Sequence, residues 1–121
     1  MAAAFPAMEQ HRRFPRIPSA NTVLVAQVDG EEVDRFARTK SVGLGGCGFL
    51  YPEPLAPGAI VELMIAMRPE AIKTLARVVY QTPVPDGSGF DVGVEFLALA
   101  PEHRRALERL LGPSAEASAV G

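Results

Sequence analysis

Glycine and proline limit how long any structural element of this chain can be. Eleven residues of each type lie among its 121 residues, and the longest apolar run, residues 63–67, has only the length of a strand. Helix interiors disfavour both residue types, whereas turns between short strands use them. The spacing therefore predicts an all-β structure, and the length is that of one domain.

Alternating and β-branched segments predict about six strands, which form a barrel or a sandwich. They cover residues 22–28, 32–40, the second half of 44–51, 59–67, 73–82 and 90–96. Asp29 and Gly30 supply the left-handed residues of a tight hairpin after the first strand. The segment 59–67 is apolar at nearly every position, which predicts a strand that is buried on both faces or closes a barrel.

Two further strands show a period of two. One face of residues 73–82 carries Leu75, Arg77, Val79 and Gln81, and the other carries Thr74, Ala76, Val78 and Tyr80. In residues 90–96, one face carries Phe90, Val92, Val94 and Phe96, and the other carries Asp91, Gly93 and Glu95. We expect Asp91 and Glu95 to be solvated strand residues.

The period changes to 3.6 in the last element, which predicts an amphipathic helix. Its apolar side is formed by Leu99, Ala106, Leu107, Leu110 and Leu111. Pro101 suits the first turn, and the pair Gly112 and Pro113 ends the helix. We expect residues 1–18 to be a flexible arm without regular structure, residues 19–111 to form the domain, and residues 112–121 to be disordered.

Charge and composition exclude several classes of function. A net charge of −2 and a pI near 5.7 argue against a protein that coats a nucleic-acid polymer. Cys47 is the only cysteine, and no metal-ligand spacing links His11 to His103, so we expect neither a disulfide nor a metal site. No nucleophile motif or phosphate-binding loop is present, which predicts that the chain is not an enzyme. Without a visible targeting signal or membrane span, we expect a cytoplasmic location.

Three sequence motifs follow one another along the chain. The arm contains His11-Arg12-Arg13-Phe14-Pro15-Arg16, a glycine-rich turn covers residues 41–49, and Asp91-Val92-Gly93-Val94-Glu95-Phe96 leads into the helix. Together they resemble the PilZ domain, a bacterial β-barrel family that is typically a receptor for cyclic di-GMP. The resemblance covers about residues 10–111. It implies a six-stranded antiparallel split barrel with one C-terminal helix, and cyclic di-GMP as ligand with no other cofactor.

Arginine chemistry agrees with that ligand. Arg12 and Arg16 look like the ends of the family's RxxxR segment. Cyclic di-GMP has two phosphates and two guanines, and the planar guanidinium donates two hydrogen bonds to either group. A bidentate contact to a guanine edge contributes about 1–3 kcal/mol of discrimination. We expect Arg12 and Arg16 to clamp the ligand, with Arg13 adding a phosphate contact or facing solvent.

The second family motif, (D/N)xSxxG, is degenerate in this chain. Aligned on the glycine pair, Ser41 stands at the Asp/Asn position, Gly43 at the Ser position and Gly46 at the Gly position. An alternative alignment keeps Ser41 as the motif serine and puts Thr39 at the Asp/Asn position; it needs one extra residue. With the first alignment, the lost hydrogen bonds weaken binding by roughly 2–4 kcal/mol, or about 30- to 1000-fold. Binding of cyclic di-GMP is then weak or lost.

Two functions follow as hypotheses. The first is a cyclic di-GMP receptor that relays the ligand level to an unknown effector protein when its arginine arm becomes ordered. The alternative is a PilZ-like module that has lost the nucleotide and acts by protein contact, for example in type IV pilus or motility control. A barrel of the OB type that binds single-stranded nucleic acid has less support, because the basic residues gather in one arm. Homodimerisation through residues 60–67 or the helix stays open.

Overall fold

The structure is a computed structural model that describes residues 17–18 and 20–111. Within these residues, seven strands precede one helix. The elements are β1 (Ile17–Pro18), β2 (Thr22–Val28), β3 (Glu31–Val42), β4 (Gly46–Tyr51), β5 (Ile60–Met67), β6 (Glu70–Pro83), β7 (Phe90–Phe96) and α1 (Pro101–Leu111).

Strand pairing closes the sheet on itself. The order β3-β2-β5-β6-β7-β4 is completed by a pairing between β4 and β3, and every pair is antiparallel. A closed sheet leaves no unpaired edge along its full circuit, which removes the usual site of sheet-to-sheet aggregation. The predicted six-stranded antiparallel barrel with one C-terminal helix is confirmed.

The turn between β2 and β3 has the predicted chemistry. Asp29 has a φ of 51° and Gly30 a φ of 84°, both in the left-handed region that two-residue hairpins require. The backbone N–H of Ile60 also donates to Oδ1 of Asp29 at 2.9 Å, so this side chain ties the hairpin to β5.

The core fills the interior of the barrel. Alternate residues of β5 (Val61, Leu63, Ile65 and Met67) are buried there, whereas Met64 between them is 40% exposed. The hypothesis that this strand is buried on both faces is therefore wrong, and the hypothesis that it helps to close a barrel is right. A barrel has one interior, so the outer face of each strand meets solvent unless another element covers it.

A β-bulge changes the predicted phase of β6. Val78 pairs with Val94 inside the barrel, but the next paired residue is Tyr80, opposite Gly93 on the outside. The extra residue, Val79, is 42% exposed. Simple alternation puts Tyr80 on the same face as Val78, and the bulge moves it to the opposite face because one inserted residue reverses the alternation.

Helix α1 packs against β6 with the predicted apolar side. Ala106 and Leu107 are fully buried, and Leu99, Leu110 and Leu111 pack against the core. Two polar contacts fix it: Arg109 pairs with Glu70, and Nδ1 of His103 lies 3.1 Å from the carbonyl oxygen of Lys73. No helix within the described residues is long and apolar enough to cross a membrane.

The end of the predicted arm belongs to the sheet. Residues 17 and 18 form β1, which pairs with Val42 and Ser41 of β3. The expectation that residues 1–18 contain no element is thus corrected at these two positions. A residue before proline favours an extended backbone, and β2 leaves this end of β3 unpaired, so the extended chain completes the ladder there. The expected arm before residue 17 and the expected tail after residue 111 lie outside the described residues.

Candidate functional site

The N-terminal chain enters the barrel beside the second motif. Ile17 pairs with Val42, and Pro18 pairs with Ser41. The three arginines predicted to bind the ligand, Arg12, Arg13 and Arg16, lie outside the described residues. Because Arg16 directly precedes Ile17 in the chain, the segment that carries them joins the barrel at the end of β3 where Ser41 is located.

A row of four residues crosses the outer face of the barrel from this entry point. Ser41 pairs with Gly48, Gly48 with Gly93, and Gly93 with Tyr80. A Cβ atom at Gly93 would overlap atoms of the Tyr80 ring, so this ring covers the glycine. We call these four residues the glycine strip. Its two glycines are buried, whereas Ser41 at one end and Tyr80 at the other are half-buried.

The turn after β3 brings the second-motif residues together. The N–H of Gly43 donates to the carbonyl oxygen of Gly46 at 2.9 Å, which extends the ladder between β3 and β4. Leu44 in this turn is only 3% exposed and anchors it to the core. Ser41 and Gly43 are two residues apart and therefore share one face, with Gly46 opposite Gly43. The three residues proposed from the motif are thus neighbours at one end of the outer face.

Gly46 has a structural reason to be glycine. A Cβ atom at this position would overlap the carbonyl oxygen of Val94 and lie 3.1 Å from Cα of Glu95. Both atoms belong to the backbone of β7, so no side-chain movement relieves the contact. The close approach of β4 to β7 therefore requires glycine here whether or not a ligand binds.

Replacing Gly46 with alanine should destabilise the domain. The new methyl group forces β4 and β7 apart, and overpacking of this kind costs about 2–3 kcal/mol in the free energy of unfolding. Denaturant unfolding measures the effect. Gly30→Ala is the matched control, because a Cβ atom at Gly30 would have no neighbour within 4 Å and only the φ of 84° opposes it; its cost is about 1 kcal/mol of backbone strain. If both variants lose the same free energy of unfolding, β4 and β7 do not approach each other closely at Gly46.

Two ion pairs flank the glycine strip. Asp91 and Glu95 stand two residues to either side of Gly93 on the outer face of β7. Lys40 Nζ lies 2.9 Å from Asp91 Oδ2, and the guanidinium of Arg77 donates to Glu95 Oε2 at 2.8 and 2.5 Å. Both carboxylates are partly exposed residues of β7, as expected of solvated strand residues, and each one also has an ion-pair partner. Both pairs are partly exposed, so each contributes only about 0–1 kcal/mol to stability.

Shifted pKa values occur away from the glycine strip. Burial raises the pKa of Tyr51 above its usual value of 10.0, and nearby Arg35 partly opposes this shift. Hydrogen bonds from Ser88 lower the pKa of Asp86, an exposed residue in the loop between β6 and β7. Neither group belongs to the site.

Cys47 occupies the interior and not the site. Its side chain is fully buried and it pairs in register with Val42 and Val94, which confirms the prediction of a small core residue. Within residues 17–18 and 20–111, no three side chains of the metal-ligating types come together.

Comparison with known proteins identifies the fold family. The profile of the PilZ domain matches residues 10–112, which is most of the chain. The chain belongs to the PilZ domain family. None of the curated proteins compared with it is similar enough in sequence to count as a match.

Solved structures of similar fold include other PilZ proteins. The inhibitor of motility MotI/DgrA from Bacillus subtilis has a TM-score of 0.68 at 22% identity over 83% of this chain and 49% of its own. YcgR from Escherichia coli, solved in complex with c-di-GMP, has a TM-score of 0.68 at 21% identity over 91% and 48%. MrkH from K. pneumonia has a TM-score of 0.65 at 16% identity over 88% and 51%. This chain spans about half the length of these proteins.

The position of Thr39 distinguishes the two alignments of the second PilZ motif. Its side chain is 2% exposed, and its hydroxyl oxygen accepts a hydrogen bond of 2.8 Å from the N–H of Asn21. It therefore lies inside the barrel, away from Ser41 on the outer face. This position weighs against the alternative alignment, which places Thr39 at the ligand. Tyr80 and its contact with Gly93 were missed from the sequence, since only the bulge at Val79 moves Tyr80 outward.

Proposed function

We propose that this PilZ domain is a non-enzymatic receptor for cyclic di-GMP that relays the level of the ligand to a protein partner. One observation carries the proposal: β1, which directly follows the arginine-bearing segment in the chain, lies at the end of the glycine strip with Pro18 paired to Ser41. The two family motifs are far apart in sequence, and the pairing of Pro18 with Ser41 brings the chain two residues after the first motif to the second.

Each part of the site has a role in this mechanism. Arg12 and Arg16 bind phosphate and guanine through paired hydrogen bonds, and Arg13 adds positive charge next to the phosphates. Ser41 offers one hydroxyl oxygen to a guanine N–H. Within the glycine strip Gly48 is buried and Ser41 is half-buried, so the ligand reaches the strip at the Ser41 end. The ring of Tyr80 bounds the strip at its other end.

The relay follows from the two-part site. A ligand that contacts both the arginine-bearing segment and the barrel holds the segment against the barrel. The segment and the barrel then form a surface that a partner protein can recognise. A receptor of this kind transmits a signal through binding alone. We place it in the cytoplasm, where a nucleotide second messenger is available.

Calorimetric titration with cyclic di-GMP tests the proposal. We expect saturable binding that weakens as the salt concentration rises, because arginine–phosphate attraction is screened by salt. GTP is the control ligand: it has a guanine and phosphates but lacks the cyclic arrangement of two of each, so it should bind much more weakly. Absence of heat at high ligand concentration, or equal binding of GTP, would rule out the receptor function.

A second function has its own supporting observation. Phe36 is 68% exposed and Met64 is 40% exposed, and both pair with Leu24, so the three form an apolar row on the outer face. Exposed apolar patches mark sites of protein contact. With Ser41 and Gly43 in place of the motif residues, a PilZ module that acts by protein contact alone, for example in type IV pilus or motility control, is the alternative. The same titration separates the two functions.

A further inference from the structure

The ladder on both sides of β3 is irregular just before Ser41. On one edge, β1 and β2 are separated by residues 19–21, so neither strand continues the pairing across this gap. On the other edge, the register with β4 shifts between Thr39 and Ser41. Only two residue pairs hold β1 against β3, and they are not continuous with the ladder between β2 and β3.

Hydrogen bonds from two β3 residues bridge the gap. The N–H of Thr39 donates to the carbonyl oxygen of Asn21 at 2.8 Å, and the N–H of Asn21 donates to Oγ1 of Thr39 at 2.8 Å. The guanidinium of Arg38 donates to the carbonyl oxygen of Ala20 at 3.1 Å. We call residues 20 and 21 the junction. Both backbone groups of Asn21 are bonded to the single residue Thr39.

We propose that Thr39 is a positioning residue that holds β1, and with it the point where the arginine-bearing segment joins the barrel, beside Ser41. Its buried hydroxyl holds the junction, the junction directs the chain into β1, and β1 leads to Arg16. The consequence for ligand binding rests on the proposed function. Thr39 touches no ligand, since its side chain lies inside the barrel.

Thr74 provides the comparison that separates positioning from general stability. It is the other buried threonine in the described part of the chain, at 4% exposure against 2% for Thr39. Its hydroxyl donates to the carbonyl oxygen of its own neighbour Leu75 at 2.9 Å, so its side-chain bond connects no two elements. Removing either hydroxyl removes one buried hydrogen bond, but only the change at Thr39 releases the junction.

The experiment compares Thr39→Val, Thr39→Ser and Thr74→Val in the full chain. Two quantities are measured: the Kd for cyclic di-GMP, and, without ligand, the initial rate of trypsin cleavage between Arg16 and Ile17, followed by mass spectrometry. We expect Thr39→Val to raise both the Kd and the cleavage rate about five- to tenfold, the equivalent of one hydrogen bond. Thr39→Ser retains the hydroxyl and should restore both. Thr74→Val should lower the melting temperature and leave both unchanged.

The Kd and the cleavage rate test the receptor function and the positioning role of Thr39 separately. Unchanged cleavage in Thr39→Val, or equal acceleration in Thr74→Val, would overturn the positioning role. If the unaltered protein does not bind cyclic di-GMP but Thr39→Val alone accelerates cleavage, the receptor function fails and the positioning role stands. If Thr39→Val accelerates cleavage and leaves the Kd for cyclic di-GMP unchanged, the positioning role stands and its consequence for ligand binding is overturned.

Discussion

Replacing Arg12 or Arg16 with alanine is expected to abolish cyclic di-GMP binding while the melting temperature stays nearly unchanged. Each change removes a charge-assisted, two-point contact, worth about 1.5–3 kcal/mol, or roughly 10- to 150-fold in affinity. Because we expect the degenerate second motif to weaken binding already, a further loss of this size should put it beyond detection. Titration calorimetry and thermal unfolding of the same samples give the two measurements.

Arg105→Ala is the matched control for charge. Arg105 lies on the exposed side of α1, so its replacement removes one positive charge, as the other two changes do, without touching the site. Binding should be unaffected in this variant. If Arg12→Ala or Arg16→Ala unfolds the domain, the segment has a structural role and the assignment of these arginines is wrong. If Arg105→Ala weakens binding to the same degree, the loss reflects the overall charge of the protein, and the assignment of Arg12 and Arg16 to the ligand is again wrong.

Restoring the second motif with Ser41→Asp and Gly43→Ser together should strengthen binding about 30- to 1000-fold. The carboxylate at position 41 accepts guanine N–H donors with a full charge, and the hydroxyl at position 43 adds one hydrogen bond; the two contribute roughly 2–4 kcal/mol. Position 41 faces Gly48, which has no side chain to obstruct the longer residue. Gly43 is not one of the glycines with a left-handed φ, so serine is compatible with its backbone.

Ser41→Asn tests whether charge or shape produces the gain. Asparagine has the size of aspartate and an acceptor oxygen but no charge, so it should recover a smaller part of the affinity. Calorimetry on the single and double variants separates the two positions. A double variant that binds no better than the unaltered protein would show that the ligand does not contact this end of the outer face. A gain equal in Asp and Asn variants would show that the charge is not used.

The two sets of variants also bear on the second candidate function. If the unaltered domain binds no cyclic di-GMP but the restored motif does, the barrel has kept the site geometry and lost only two side chains. The exposed row of Phe36, Leu24 and Met64 then becomes the surface to test against candidate protein partners. Binding by the unaltered domain leaves the receptor function as the simpler account.

Local features of the sequence predict most of the fold. The strand predicted over residues 22–28 has the bounds of β2, and the hairpin at Asp29 and Gly30 has the expected left-handed backbone. The helix from Pro101 to Leu111 buries the predicted apolar side. Each of these features depends on residues within a few positions of one another. Periodicity and turn chemistry therefore suffice for them.

Features that depend on distant pairings were missed. The partner of Asp91 is Lys40, 51 positions earlier, and nothing in either local segment indicates the pair. Tyr80 reaches the outer face only because β6 carries one extra residue relative to β7. Thr39 became recognisable as a buried residue bonded to Asn21 only once the registers on both sides of β3 were known.

The sequence alone determined the kinds of element, the closed barrel that the PilZ resemblance implied, and the arginines and second-motif positions of the candidate site. Only the tertiary structure decided that Ser41 lies beside β1 and at one end of the glycine strip, through the pairing of Pro18 with Ser41 and of Gly48 with Gly93. The physical reason is that alternation and turn residues are imposed by local backbone geometry. Register is instead imposed by bulges and by contacts between strands far apart in the chain, and one residue of shift moves a side chain to the opposite face.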